Sequence, residues 1–520
     1  MGVAMEGNAM SRTNRLVPLV LAASLLASAC GGGQGASTSP TPSLSKRGQL
    51  LNDPPTRLGS FTASDLLSRV SDTQLGQQLL RLAFSPTCSV DTYHLEYDTV
   101  GGHGEATTAS AALMIPSGPD ASCQGPRPIV LYAHGKRNFK GFNIADLTSP
   151  INDEGLALAI VGPARGYITV APNYAGYDTS TLGYHPYLNA DQQSKDMMDA
   201  LTAAHAALSA LNVPDNHKLF VTGYSQGGYV AMATHRALQA AGITVTASAP
   251  MSGPYALSAF GDAVFMGQVD DGSTENLALL TSSYQHSYGN LYSSPTEVFE
   301  PKYAAAIDAL GTTIPDISTL NAEGLLPPNA LFDSTPPAPE FASMTPATQP
   351  ANLAPLFAMG FAPDHLVTNA YRLQFLRDAQ AAPDGGFPSA TTGLPPANPA
   401  NTLRQDLKAN DLRNWKPSAP VLLCGGDADP SVFFLNTQLM QQYWATNAPS
   451  GQVTVLDVDS SGSPYSDIKD EFRAAKDLIA LDAILNGATD RGAAAVRQVY
   501  HAALVPPFCL LAVTRFFDAN

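Results

Sequence analysis

Charge is scarce in this chain, and positive charge is scarcest. Charged residues make up 14% of the 520 residues, with 28 Lys and Arg against 44 Asp and Glu, for a formal net charge of −16. No basic run occurs. Phosphate contacts need clustered Lys and Arg, so the composition argues against nucleic acid or anionic lipid headgroups as partners. There is no H-E-x-x-H and no Cys/His cluster with zinc spacing, so no metal is expected. Gly31-Gly32-Gly33 follows no strand-like run, so it is not a phosphate loop. Internal repeats are absent. Beyond the first 30 residues no apolar run looks long enough to cross a bilayer. Cysteine is sparse too, with five in all.

What is present is a large apolar complement. Hydrophobic residues are 44% of the chain, enough for one large domain with an insertion or for two domains. Gly (42) and Pro (41) imply many loops. At the start, Arg12 and Arg15 precede the short apolar run Leu16–Leu26, then Ala27-Ser28-Ala29-Cys30. This is the order of a secretory signal, and Met10 is the better start because Glu6 would spoil the basic region. A Cys after small residues resembles a bacterial lipoprotein signal, although Ala27 stands where Leu is usual. The expectation is an exported lipoprotein, in the periplasm or on the cell surface, held to a membrane by lipid on Cys30. Ordinary secretion is the alternative. Cys88, Cys123, Cys424 and Cys509 then remain, an even number that suggests two disulfides. Connectivity is not readable from sequence. The preferred pairs are Cys88 with Cys123 and Cys424 with Cys509, against four buried free thiols.

Organisation along the chain follows from periodicity. A signal segment over residues 1–29 leads into a Ser/Thr/Pro/Gly tether over residues 30–56. Runs at 94–100 and 106–116 flank the turn signal Gly101-Gly102-His103-Gly104 and read as a hairpin. Arg127–Ala133 and Tyr167–Pro172 read as buried strands, and residues 192–211 as an amphipathic helix. Strands alternating with helices predict a parallel central sheet covered on both faces. After Gly253-Pro254 the rhythm breaks. Residues 254–415 are Pro- and Ala-rich with helical pieces, and read as a helical cap inserted between core segments 57–253 and 416–520. The sheet resumes at Ala419–Cys424 and ends near Gln452–Val458.

Chemistry concentrates in Gly223-Tyr224-Ser225-Gln226-Gly227. An apolar run precedes this G-x-S-x-G and a helical sequence follows it, the context of a nucleophile elbow. A serine nucleophile needs a base and an orienting carboxylate, and where the serine sits on such an elbow the resemblance to known elbow hydrolases implies the chain order Ser, acid, His. Only one histidine follows residue 365, namely His501. The acid belongs just past a strand after the cap, where Asp427 and Asp429 compete. The pattern G-x-x-D-x-x-V at Gly426, Asp429 and Val432 favours Asp429, with Asp457 and Asp459 as outsiders. The oxyanion hole needs two backbone amides. One is Gln226. The other is assigned to Lys136, with Gly135 as the alternative, and His134 is read as bracing that loop.

Tyr132-Ala133-His134-Gly135, Ala171-Pro172-Asn173-Tyr174-Ala175-Gly176, Gly223–Gly228 and the late His501 resemble α/β-hydrolases, and more narrowly bacterial relatives of the secretory lipase family. The resemblance covers roughly residues 80–255 and 416–517. It implies an α/β-hydrolase fold with an inserted cap, and cofactor-free hydrolysis of a small-molecule or lipid ester through a Ser225–His501–Asp429 triad. A serine peptidase of prolyl-oligopeptidase type is one alternative, weakened because no propeller-like repeats precede the hydrolase part. A catalytically silent binding protein is another. The cap is expected to roof the site, with Phe357 and Met359 lining an acyl pocket.

Overall fold

Nine strands form a single sheet: β1 (Thr56–Phe61), β2 (Ser89–Val100), β3 (Ala106–Ser117), β4 (Arg127–Ala133), β5 (Ile168–Pro172), β6 (Asp215–Tyr224), β7 (Ala247–Met251), β8 (Val421–Gly425) and β9 (Val453–Asp457). Their spatial order is β1-β2-β3-β5-β4-β6-β7-β8-β9. The first three strands pair antiparallel, as does β3 with β5, and every pair from β5 to β9 is parallel. The computed structural model describes residues 46–520 apart from 83, 85, 311–316, 385–392 and 448–450. The signal segment and Cys30 lie outside the described residues.

Parallel strands buried on both faces should be apolar throughout, and neighbouring residues should serve opposite faces. In β4, Ile129, Leu131 and Ala133 join one core while Val130 and Tyr132 join the other. In β8, Val421 and Leu423 point one way, Leu422 and Cys424 the other. The first face is covered by helices Ala190–Ala210 and Gln226–Ala240. The second carries Asp153–Val161 and Val505–Asp518, with the early helices Ala63–Val70 and Gln74–Arg81, which the sequence pattern did not mark.

This alternation explains the cysteines. Cys424 faces the second core, where Cys509 arrives on helix Val505–Asp518, and the two are bonded with Cα atoms 5.6 Å apart. The other bridge joins Cys88 to Cys123, 5.5 Å apart at Cα. The first of these bonds fastens the helix that follows His501 to the strand that leads to Asp429.

The structure corrects or extends the sequence reading at three places. The tether does not run free to residue 56. Gly48 N–H donates to Asp98 O (2.8 Å), Leu51 N–H to Glu96 O (2.7 Å) and Arg47 Nε to Asp199 Oδ2 (2.9 Å), so residues 46–55 lie along β2. Secondly, His501 lies outside the regular helices. It sits in a π-helical turn, Tyr500–Leu504, between helices Ala493–Val499 and Val505–Asp518. Pro506 and Pro507 have no N–H to give the carbonyls four residues earlier, and a π turn absorbs that defect. Thirdly, one helical run, Ala493–Asp518, is long and apolar enough for a membrane span, with mean hydropathy 1.4. Its apolarity serves the interior, since 61% of that window is buried and Phe508, Cys509, Val513 and Phe517 pack in the second core.

Between β7 and β8 the described chain is helical, with Leu257–Phe265, Ser273–Tyr288, Pro301–Ala309, Asn369–Ala381 and Thr402–Ala409 its longer pieces. Leu257, Phe265, Leu277, Tyr284, Phe375 and Leu407 share one hydrophobic core with the sheet's first face. Residues Ser43–Asn520 accordingly form one compact unit.

Candidate active site

Strand β6 ends at Tyr224 and helix Gln226–Ala240 begins one residue later, so Ser225 alone makes the turn. Its backbone sits at φ 60°, ψ −122°. Such a conformation costs a non-glycine residue about 1–3 kcal/mol and persists only when neighbours enforce it. Ser225 N–H is held by Met251 O of β7 at 3.0 Å. The flanking glycines are required by proximity: a Cβ at Gly227 would lie 1.9 Å from Ala133 O, and one at Gly223 would lie 2.4 Å from it. The end of β4 thus presses against the elbow.

Ser225 Oγ is 2.8 Å from His501 Nε2, and His501 Nδ1 is 2.7 Å from Asp429 Oδ2. A carboxylate only accepts, so Nδ1 carries the imidazole proton and Nε2 accepts from the serine hydroxyl. Asp429 is 1% exposed. Its other oxygen accepts the amides of Ser431 (2.9 Å) and Val432 (3.0 Å), which orients the carboxyl group from behind. Asp427 is exposed, and its amide donates to Asp457 Oδ1 at 3.1 Å. Asp459 accepts from Tyr500 Oη at 2.7 Å and pairs with Lys476. Those three aspartates therefore lie outside the Ser225–His501 chain. Tyr500 also accepts from the Ala428 amide (3.3 Å), and Tyr224 Oη donates to His501 O (2.6 Å), so two tyrosines brace the loops of acid and base. Sequence reasoning missed both; their adjacency to Ser225 and His501 was the available signal.

The loop after β4 is pinned at nearly every peptide group. Tyr174 Oη donates to His134 O (3.0 Å), and His134 Nδ1 lies 2.7 Å from Gly135 O. Burial pushes the His134 imidazole down to about 3, so it stays neutral. The Gly135 amide donates to Glu154 Oε1 at 3.0 Å, which leaves it no freedom to serve elsewhere. Among the described residues, neither the Lys136 amide nor the Gln226 amide has a hydrogen-bond partner. The Lys136 side chain is not idle: Nζ reaches Glu275 Oε2 (3.1 Å) and Asn276 Oδ1 (2.8 Å) on helix Ser273–Tyr288. It clasps this loop to the inserted helices. Gln226 is fixed through its own amide group, whose Nε2 donates to His185 Nε2 at 2.6 Å. His185 in turn directs Nδ1 at Ala175 O (3.0 Å), and burial lowers its pKa to about 3.

Two cavities meet at Ser225 and His501. One, about 160 Å³, is enclosed by inserted helices through Leu257, Phe260, Val264, Leu277 and Leu407. Asp270 is a polar spot in its wall, pushed up to about 7 chiefly by burial. Phe357 and Met359, expected to line an acyl pocket, do not border this cavity. Phe357 is fully buried one layer behind, its ring 5.9 Å from Phe433, which in turn packs 5.4 Å from Phe260. Met359 is 46% exposed. An apolar heptad says that a helix buries a face, but not against which neighbour. The second cavity, about 280 Å³, lies on the side of helices Asp153–Val161 and Val505–Asp518. Among the described residues no group of three or more His, Cys, Asp or Glu is placed to hold a metal ion.

Both the sequence and the fold have counterparts among known proteins. Residues 157–288, from the second-face helix through the elbow into the insertion, match the prolyl oligopeptidase family. The rice cell wall degrading esterase LipA from Xanthomonas oryzae superposes with a TM-score of 0.61 at 25% identity, over 79% of this chain and 91% of that one. The chain belongs to the α/β-hydrolase superfamily. A ligand-bound form of LipA covers 91% of this hydrolase and 99% of its own chain, with a TM-score of 0.65 at 24% identity. A Legionella pneumophila protein assigned as a hydrolase follows at 0.61 and 20%, over 90% and 97%. No curated protein sequence matches this hydrolase.

Proposed function

We propose that the chain is a serine carboxylic ester hydrolase. Ser225 is the nucleophile, His501 the general base and then acid, Asp429 the orienting carboxylate, and the Gln226 and Lys136 amides the oxyanion hole. The observation that carries this reading is the unbroken relay from Ser225 Oγ through His501 to buried Asp429, at the carboxyl edge of the parallel strands. In acylation, Oγ bonds to the ester carbonyl carbon while its proton passes to His501 Nε2. The carbonyl oxygen becomes an oxyanion, and two fixed, unoccupied amides stabilise it where its charge develops. Collapse breaks the C–O bond to the alcohol, which takes the proton from Nε2. Water then repeats the sequence on the acyl-enzyme and releases the acid.

Ester rather than peptide hydrolysis is supported by the apolar cavity beside Ser225, shaped by the insertion acting as a cap over residues 254–415, and by the esterase among the structural relatives. The prolyl oligopeptidase match favours a second reading, cleavage of peptide bonds. A panel of p-nitrophenyl esters set against peptide anilides separates the two. Turnover of short- and medium-chain esters is expected, with anilides inert. Faster anilide cleavage would replace the ester reading.

Two disulfides and the Ala27-Ser28-Ala29-Cys30 segment support an exported protein anchored by lipid at Cys30. Full-length protein expressed in bacteria should then pellet with membranes, and Cys30→Ala should move it to the soluble fraction. A wild-type protein that is already soluble would point to ordinary secretion.

A further inference from the structure

We infer that the second cavity seats the leaving alcohol, and that this alcohol is neutral, carries a hydroxyl or ether oxygen near the ester bond, and has an apolar flank. The inference rests on ester hydrolysis at Ser225. An ester attacked at Ser225 must place its acyl part and its alcohol part on different sides of the serine, and two separate cavities open there. The proton that completes acylation comes from His501 Nε2, so the departing oxygen lies on the histidine side. His501 borders both cavities, but the residues that follow it, Ala502, Pro506 and Leu510, wall the second and not the first. The first draws its walls from the insertion and from Gln226, one of the two oxyanion residues, while Lys136, the other, borders both cavities. The acyl chain therefore takes the smaller apolar cavity and the alcohol takes the larger one.

Chemistry of the walls sets the class of alcohol. Leu75, Leu158, Pro506 and Leu510 supply an apolar side. Tyr132, Arg137 and Glu154 supply a polar one. Glu154 is already saturated: it accepts from Tyr132 Oη (2.8 Å), from the Gly135 amide and from Arg137 Nη2. Arg137 Nη1 is different. It stands 3.8 Å from Asp153 Oδ1, beyond hydrogen-bond reach, and makes no hydrogen bond among the described residues. The cavity thus offers spare donors and asks for an acceptor. A carboxylate on the alcohol would face Asp153 and Glu154, and a quaternary ammonium would face Arg137, so a neutral oxygen fits best.

A leaving-group site has a kinetic signature that an acyl site lacks, because the alcohol is gone before deacylation. The test uses the full chain and three butyrates that form the same butyryl-enzyme: vinyl butyrate, 1-monobutyrin and butyrylcholine. Turnover of vinyl butyrate by the wild type establishes the ester reading on its own. Ala502 is exposed, so Ala502→Trp adds bulk at the mouth without entering the core. It should cut the ratio of monobutyrin to vinyl butyrate acylation by about tenfold or more, a discrimination ordinary for a blocked pocket. The deacylation rate of the shared butyryl-enzyme should not follow. Arg137→Met, which removes the spare donors while keeping an unbranched side chain, should lower the same ratio. By contrast, Val264→Trp in the other cavity should slow acylation by all three esters and deacylation together. Wild-type acylation should be slower with butyrylcholine than with monobutyrin. The assignment is overturned if Ala502→Trp slows all three esters equally or slows deacylation, and the neutral class is overturned if butyrylcholine acylates as fast as monobutyrin.

Discussion

Ser225→Ala should lower kcat for p-nitrophenyl butyrate by on the order of 10³-fold or more, the scale of other triad deletions, while the protein stays folded. The reasoning begins with position. Ser225 sits at the junction of two cavities with its Oγ against His501 Nε2, and its side chain supports no hydrophobic cluster. Removing one hydroxyl therefore costs no packing. Alanine at φ 60° carries the same backbone strain that serine already bears, held by the Ser225 N–H to Met251 O bond, so unfolding is not expected. What disappears is the hydroxyl that His501 Nε2 activates for acylation. Residual turnover would come from the amides of Gln226 and Lys136 polarising a bound ester toward water. The checks are steady-state kinetics beside far-UV circular dichroism of the variant. A folded variant that keeps near wild-type kcat would remove Ser225 from the chemistry, and with it the acyl-enzyme.

Much of this geometry could be anticipated because the residues concerned are constrained locally. Ser225 must stand between glycines, since a Cβ at 227 or 223 would collide with the carbonyl of Ala133. That collision is a backbone requirement, and it leaves a readable trace in five residues. His501 stood out by elimination in a chain poor in late histidines. The buried strands β4, β6 and β8 were readable because a strand covered on both faces must be apolar at consecutive positions.

Features settled by tertiary packing left no such trace. Leu353–Met359 is apolar enough to line a pocket, yet Phe357 turns toward Phe433 and the cavity is closed instead by Phe260 and Val264. Which face of a short helix meets which neighbour depends on helices remote in sequence. The Lys136 clasp to Glu275 and Asn276 spans about 140 residues, and Glu154 reaches the Gly135 amide from the start of a helix whose sequence resembles any buried helix. The π turn at His501 is intermediate. Pro506 and Pro507 announce a break in helical bonding, though not its form.

Asp429→Asn should lower kcat by on the order of 10⁴-fold, and Asp427→Asn by no more than about threefold, although the two residues are two positions apart. At position 429 the carboxylate does two things. Oδ1 accepts the Ser431 and Val432 amides, which an asparagine carbonyl can still do. Oδ2 accepts the proton of His501 Nδ1 at 2.7 Å. An asparagine whose carbonyl stays with the two amides presents its NH₂ to Nδ1 instead, and two donors cannot share that contact. The imidazole must then hold its proton on Nε2, where it can no longer accept from Ser225 Oγ. The loss is therefore one of tautomer rather than of fold, and KM should change little, because Asp429 borders neither cavity. At position 427 the side chain is exposed and only the backbone amide is engaged, with Asp457, so an amide in place of the carboxylate leaves the loop as it was. Steady-state kinetics of the two variants with one ester decide the matter. Equal losses would mean that the loop as a whole, and not a single carboxylate, sets the histidine. A larger loss at 427 would require the loop to rearrange before the chemistry.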